Sequence, residues 1–286
     1  MKTKFFHRIA LSIALTIGAS IAVAQTNVTT DVVTVNLQTD TVKVMSQKMN
    51  REIKAVVVLP HQYFDNPTDS FPSVYVLHGA SGDYSNWPKK KNLEQVATQY
   101  GVVMICPDGQ DSWYFDSPID PKMQFETFIS RELVAYVDSH YRTFRSAKMR
   151  AITGLSMGGH GAMWLGIRHH DIWGSAASMS GGVDIRPFKT RWKMASLIDP
   201  DGTNQQAWET HTAINLIPTL AKGDLNILVD CGVDDFFIEV NRDFHRALLE
   251  AGIDHDYIER PGAHTQTYWR NSVLYHLLFF HEVFNK

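Results

Sequence analysis

The sequence holds a serine flanked two positions away on either side by glycine, Gly154-Leu155-Ser156-Met157-Gly158-Gly159, between a strand-like run at 149–153 and a helix-like run at 158–169. Strand, sharp turn and helix is the context in which a serine hydroxyl is thrust out of the backbone as a nucleophile. Such a turn is strained and crowded, and glycines at 154 and 158 relieve the crowding. The helix start beside Ser156 supplies free N–H groups and the positive end of a dipole, both favourable to developing negative charge. A serine hydroxyl is a poor nucleophile near neutral pH, so it needs a histidine base, which in turn needs a carboxylate to fix its tautomer. When this turn carries the nucleophile, the acid and then the histidine come later in the chain. Gly232-Val233-Asp234-Asp235-Phe236-Phe237 follows a strand-like run at 225–231, and Arg260-Pro261-Gly262-Ala263-His264 follows another at 255–259. The order Ser156, Asp235, His264 satisfies the rule, with Asp234 as the rival acid. The implied chemistry is acyl transfer, whose tetrahedral oxyanion needs two hydrogen-bond donors. The amide of Met157 is the first; the loop His78-Gly79-Ala80 supplies the second, and Ala80 is the choice within it.

The sequence contains thirteen histidines, so His264 has competitors. His160 follows the glycines on the helix and is expected to point away from the serine. His169 and His170, beside Asp171, are expected to meet the carbonyls at that helix's end. Adjacent helical histidines face different directions, so no metal site is expected there. His276 and His281 fall on the last helix, where surface or half-buried roles are expected.

The elements that must hold these residues alternate between strand and helix. Valine-rich runs at 29–35 and 43–59 read as initial strands pairing as a hairpin or meander. Strands follow at 71–77, 102–106, 149–153, 174–180, 225–231 and 255–259. Helical spacing marks 92–100, 125–141, 158–169, 240–251 and 271–284. Alternation at these lengths implies an α/β fold, a mostly parallel sheet with helices on both faces. The segment 183–223, with Pro187, Trp192, Pro200 and Trp208, is longer than a simple crossover requires; it is either a packed surface excursion or part of a substrate-binding cap.

The 286 residues carry 27 Lys plus Arg against 30 Asp plus Glu, a formal charge of −3. No basic excess exists to neutralise a phosphate backbone, so nucleic acid is not an expected partner. Lys2, Lys4 and Arg8, an apolar run at 9–19 and Ala22-Val23-Ala24 before Gln25 read as a secretory signal over residues 1–24. Its removal takes away three cations and no acid, moving the charge from −3 to −6, and leaves 25–286 as one catalytic domain in a secreted or periplasmic protein. The two cysteines, Cys106 and Cys231, are too few for a disulfide scaffold and sit in separate predicted strands.

These motifs together resemble the esterase family of α/β-hydrolases related to esterase D, which includes tributyrin, acetyl and feruloyl esterases and S-formylglutathione hydrolases. The resemblance runs from about Val42 to the C-terminus. It is carried by Val76-Leu77-His78-Gly79, Ile105-Cys106-Pro107-Asp108-Gly109, Tyr141-Arg142-Thr143, Gly154 to Gly159, Asp230-Cys231-Gly232 with Asp235-Phe236, and Pro261-Gly262-Ala263-His264 with Tyr268-Trp269. It implies an α/β-hydrolase fold with Ser156 as nucleophile, His264 as base, Asp235 as acid, and Met157 and Ala80 as oxyanion donors. It favours Asp235 over Asp234 because the family's acid precedes the phenylalanine. It also implies that the cysteine-bearing strands are not neighbours, leaving free buried thiols. His78, Trp113 and Trp269 are candidate substrate contacts, with packing an equal reading of Trp113. The expected activity is that of an exported serine carboxylesterase on acetyl, feruloyl or other short acyl esters, with plant polysaccharide as the natural carrier and no cofactor. S-formylglutathione hydrolysis, acyl transfer to another acceptor, and a non-catalytic carbohydrate-binding role are the alternatives.

Overall fold

The computed structural model describes residues 38–286. The expected leader over 1–24 and the expected strand at 29–35 lie outside the described residues. The chain opens with an antiparallel hairpin, β1 (Thr39–Ser46) and β2 (Arg51–Val58). A one-turn helix α1 (Gln62–Asp65) leads to β3 (Ser73–Leu77), α2 (Asn86–Lys90), α3 (Leu93–Tyr100) and β4 (Val103–Pro107). Asn92 caps α3 by accepting the Gln95 N–H at 3.1 Å, and Gly101, in the left-handed region, ends it. The amphipathic run at 125–141 is realised as α4 (Phe125–Thr127), a π-helical stretch Phe128–Leu133 and α5 (Val134–His140).

The second half runs β5 (Arg150–Leu155), α6 (Met157–Arg168), β6 (Ser175–Met179), α7 (Met194–Ile198), α8 (Gln205–Thr210), β7 (Asn226–Gly232), α9 (Ile238–Glu250), β8 (His255–Arg260) and α10 (Gln266–Phe284). The eight strands form one sheet in the order β1-β2-β4-β3-β5-β6-β7-β8, parallel from β4 onward. The α/β fold expected from the alternation is therefore the fold found.

Period-two alternation sorts the sheet's side chains between two cores. Val74 and Val76 face α3 and α10, packing with Leu93, Val96, Val273 and Phe280, while Tyr75 and Leu77 face the side that holds α6. Burial on both faces explains why the central strands read as continuous apolar runs. Cys106 on β4 and Cys231 on β7 are free and buried, with three strands between them. Among the described residues no helix is long and apolar enough to cross a membrane.

Segment 183–223 anchors an otherwise largely exposed excursion through a set of buried side chains, and its Trp192 reaches the cleft over Ser156. Met194, Leu197, Ile198, Trp208 and Ile217 are buried in the main core. Arg186 ties the segment together through Asp184 at 2.7 Å and Glu209 at 2.8 Å.

Two histidines, His169 and His276, differ from expectation because buried polar groups elsewhere claim their ring nitrogens, while His160 makes no side-chain hydrogen bond to the serine, in keeping with its expected direction. His169 meets Glu126 at 2.8 Å, not the helix-end carbonyls, and Glu126 also accepts from Arg168 and Trp164. His276 is fully buried, 2.7 Å from Thr153 Oγ1. His160 is fully buried among Trp113, Phe115 and Trp164, with Nδ1 3.0 Å from the Gly182 carbonyl.

Burial pushes the His160 imidazole from the ordinary 6.5 down to about 3. Below pH 6.5 the unfolded chain therefore binds a proton that the folded chain refuses. The stability present above that value is lost as pH falls towards about 3. At pH 4.5 the loss is about 2–3 kcal/mol. Thermal melts at pH 7 and pH 4.5 are expected to show a smaller acid-induced drop for His160→Asn, whose amide still reaches the Gly182 carbonyl, than for the wild type. Equal drops would remove His160 as a source of acid sensitivity.

Candidate active site

The registers of the parallel strands bring the loops at their C-terminal ends to one edge. Leu77 pairs with Gly154, Leu155 with Met179, Met179 with Asp230, and Gly232 with Arg260. The loops carrying Ala80, Ser156, Asp235 and His264 all leave from that edge, where open parallel sheets hold their ligands.

Ser156 sits between β5 and α6 with φ 56° and ψ −116°, a conformation that non-glycine residues rarely adopt. Close backbone approach makes the strain possible. A Cβ at Gly154 would lie 2.5 Å from the Gly158 backbone, and one at Gly158 would lie 2.6 Å from the Leu77 and His78 carbonyls. The glycines thus let the elbow close on itself and against the end of β3.

His264 Nε2 is 2.9 Å from Ser156 Oγ, and His264 Nδ1 is 2.9 and 3.0 Å from the two Asp235 oxygens. With Nδ1–H donating to the carboxylate, Nε2 presents its lone pair to the serine hydroxyl, the arrangement general-base activation needs. Asp235 is 2% exposed, and its Oδ1 also accepts the Phe237 N–H at 2.9 Å. Asp234 is exposed and its side chain makes no hydrogen bond among the described residues; its backbone N–H donates to the Gly262 carbonyl at 2.9 Å. The rings of Phe236, Trp269 and Phe237 surround His264, with centroids 4.2, 4.8 and 5.5 Å away.

The histidine loop is tied down at both ends by one carboxylate. Asp230, fully buried on β7, accepts from Arg260 Nη2 at 3.0 Å and from the Tyr268 hydroxyl. Arg260 immediately precedes the loop and Tyr268 follows it. Arg260 also donates to Ser272 Oγ at 2.6 Å.

The two amides expected to receive the oxyanion lie in the elbow and in the loop packed against it. Met157 N–H opens α6. In the turn at 79–82, Gly82 N–H donates to the Gly79 carbonyl at 3.1 Å and Ser81 N–H to Asp111 at 2.6 Å. The Ala80 and Met157 amides have no protein partner among the described residues. The loop lies against the elbow: a Cβ on Gly79 would be 3.4 Å from Ser156 Cβ.

A cleft of about 450 Å³ opens over Ser156, lined by the aromatic rings of Trp192, Phe236 and Trp269 and by Ala80, Ser81, Asn86, Lys90 and Gln266. Of the expected substrate contacts, Trp269 lines it, with Nε1 donating to Ser180 Oγ at 3.1 Å. The other two lie outside it. His78 is 1% exposed; its Nε2 accepts the Gly109 N–H and its Nδ1 meets the Gly79 carbonyl, both at 2.8 Å, so it braces the loop from behind. Trp113 is 1% exposed and packs 5.7 Å behind Trp192, supporting the wall. The sequence reading missed Trp192 as a wall, Phe236 as a ring over His264, and Asn86 and Lys90. The triple lysine at 89–91, just after the glycine loop of an acidic chain, was the available signal for Lys90. A second cleft of about 440 Å³ runs along β8 and α10, away from Ser156.

A serine, histidine and aspartate in hydrogen-bonded sequence at the C-terminal edge of this sheet define an α/β-hydrolase. Residues 46–280 match the family described as "Putative esterase". The chain belongs to this family of serine carboxylic ester hydrolases. It is 26% identical over 249 residues to an acetyl esterase of Caldicellulosiruptor saccharolyticus, covering 79% of this chain and 91% of that one. It is 25% identical over 214 residues to S-formylglutathione hydrolase of Bos taurus, covering 68% and 73% respectively. The solved structure of a ferulic acid esterase superposes with a TM-score of 0.74 at 25% identity, over 86% of this chain and 100% of that one.

Proposed function

We propose that this esterase is exported and cleaves acetyl, feruloyl or similar short acyl esters carried by plant polysaccharide. The observation that carries the catalytic assignment is the unbroken path from Ser156 Oγ through His264 to Asp235, every link at 2.9 Å. Ser156 Oγ attacks the ester carbonyl carbon as its proton passes to His264 Nε2. The carbonyl π pair moves onto oxygen, and the Met157 and Ala80 amides receive the resulting oxyanion. The intermediate collapses with cleavage of the acyl carbon–oxygen bond, and His264 returns the proton to the departing alcohol. Water then repeats the sequence on the acyl-enzyme, releasing the acid and restoring Ser156. Asp235 stays ionised throughout and holds the imidazolium.

The carbohydrate reading draws support from the acetyl esterase and ferulic acid esterase relatives. The aromatic wall of Trp192, Phe236 and Trp269 suits a planar acyl ring or a sugar face. Protein recovered from the periplasm or medium, with its N-terminus at Gln25, is to be assayed on p-nitrophenyl acetate, methyl ferulate, acetylated xylan and S-formylglutathione. Release of acetate from the xylan or ferulate from its methyl ester is the expected result. Failure on every oxygen ester, or much faster turnover of the thioester, would overturn it.

A further inference from the structure

The cleft is electrostatically lopsided. Apart from His264, the one ionisable side chain among the described residues lining it is Lys90, and no carboxylate lines it. Asp235 lies behind His264, shielded from the cleft. Lys90 is not a freely swinging surface lysine. It ends α2, whose Trp87 is buried and donates through Nε1 to the Leu77 carbonyl at 3.0 Å, at the end of the strand that leads into the oxyanion loop. Its ammonium donates to Asn86 Oδ1, a neutral acceptor that also lines the cleft. Lys90 has no ion-pair partner among the described residues. Burial and the Arg270 charge lower the Lys90 pKa, while Asp83 pulls the other way. Asp83 itself is occupied, accepting from Ser85 N at 2.8 Å and Ser85 Oγ at 2.6 Å. A cation that lines the cleft, partly desolvated and held by a neutral amide, is an arrangement that a bound anion relieves.

We propose that Lys90 is an anion-recognition subsite, so that the preferred esters carry a carboxylate on the acyl or the alcohol portion. The inference rests on the esterase reading above and specifies the substrate class of the same site. An ester seated on Ser156 would lie with its apolar part against Trp192 and Phe236 and direct its carboxylate towards Asn86 and Lys90.

Matched pairs of esters test it. Mono-p-nitrophenyl glutarate against p-nitrophenyl pentanoate places the charge on the acyl side, and 4-acetoxybenzoate against 4-acetoxybenzamide places it on the alcohol side. For at least one pair, the ratio of kcat/KM for the charged ester to that for its neutral partner is expected to fall roughly ten-fold or more in Lys90→Met. Lys90→Arg is expected to keep most of the ratio, and added salt to erode it in the wild type. A merely structural loss would lower both members of a pair together and leave the ratio unmoved. Unchanged ratios for both pairs in Lys90→Met would overturn the subsite. Absence of turnover of every neutral ester by the wild type would instead bring down the esterase reading.

Discussion

Ser156→Ala is expected to lower kcat for p-nitrophenyl acetate by about 10⁵-fold or more, the scale on which loss of the nucleophile removes a covalent route. This corresponds to about 7 kcal/mol of transition-state stabilisation. The residual rate would reflect the oxyanion donors and binding alone. Loss of the fold cannot account for such a result, because the substitution removes one oxygen and leaves the backbone at φ 56° that the flanking glycines permit. The only side-chain hydrogen bond lost among the described residues is that to His264 Nε2 at 2.9 Å. Circular dichroism and thermal melting should therefore match the wild type, with a stability change within about 0.5 kcal/mol. Retained turnover in pure Ser156→Ala would remove Ser156 from the mechanism.

The second large effect is expected from Asp235→Asn, a drop in kcat of about 10³–10⁴-fold with KM little altered. The reason is specific to this loop. Oδ1 of Asp235 accepts the Phe237 N–H at 2.9 Å while Oδ2 faces His264 Nδ1 at the same distance. An asparagine would keep its carbonyl oxygen on Phe237 N–H and turn its NH₂ towards His264 Nδ1. The imidazole must then present a lone pair at Nδ1 and carry its proton on Nε2, facing Ser156 with a donor where a base is required. Asp234→Asn serves as the control: its side chain is exposed and makes no contact with His264, so kcat/KM within about two-fold of wild type is expected. Equal effects at the two positions would show that the acid was misassigned.

Much of this site was legible because its chemistry and its fold share one signal. The glycines around Ser156 mark both a nucleophile and a strand-to-helix turn, and the loops holding Asp235 and His264 each follow a buried apolar strand. The strands themselves read clearly because residues such as 74–77 and 103–106 are buried on both sides. What the sequence hid depends on neighbours distant along the chain. His78 and Trp113 have the residue types of substrate contacts, yet whether a ring lines a cleft or braces it from behind depends on partners 31 and 79 residues away, Gly109 and Trp192. His276 reads as an ordinary position on an amphipathic helix, and only the packing of α10 on the sheet brings it to Thr153. Lys90 escaped notice because α2 is five residues long and contains a proline, too short for any periodicity to reveal which side faces the cleft.

The placement of His264 has a consequence for how activity and folding are coupled. Its loop hangs from β8, an edge strand paired only with β7 and largely half-exposed, whereas Ser156 hangs from β5 in the middle of the sheet. Edge elements open at lower free energy than the centre of a fold, in sub-global steps that leave the rest intact. Catalytic competence thus depends on an edge of the sheet, and the Asp230 clamp on Arg260 and Tyr268 opposes that opening. Under mild denaturant or heat, turnover should disappear while the central strands still protect their amides from hydrogen exchange, so inactivation and unfolding become two separable events.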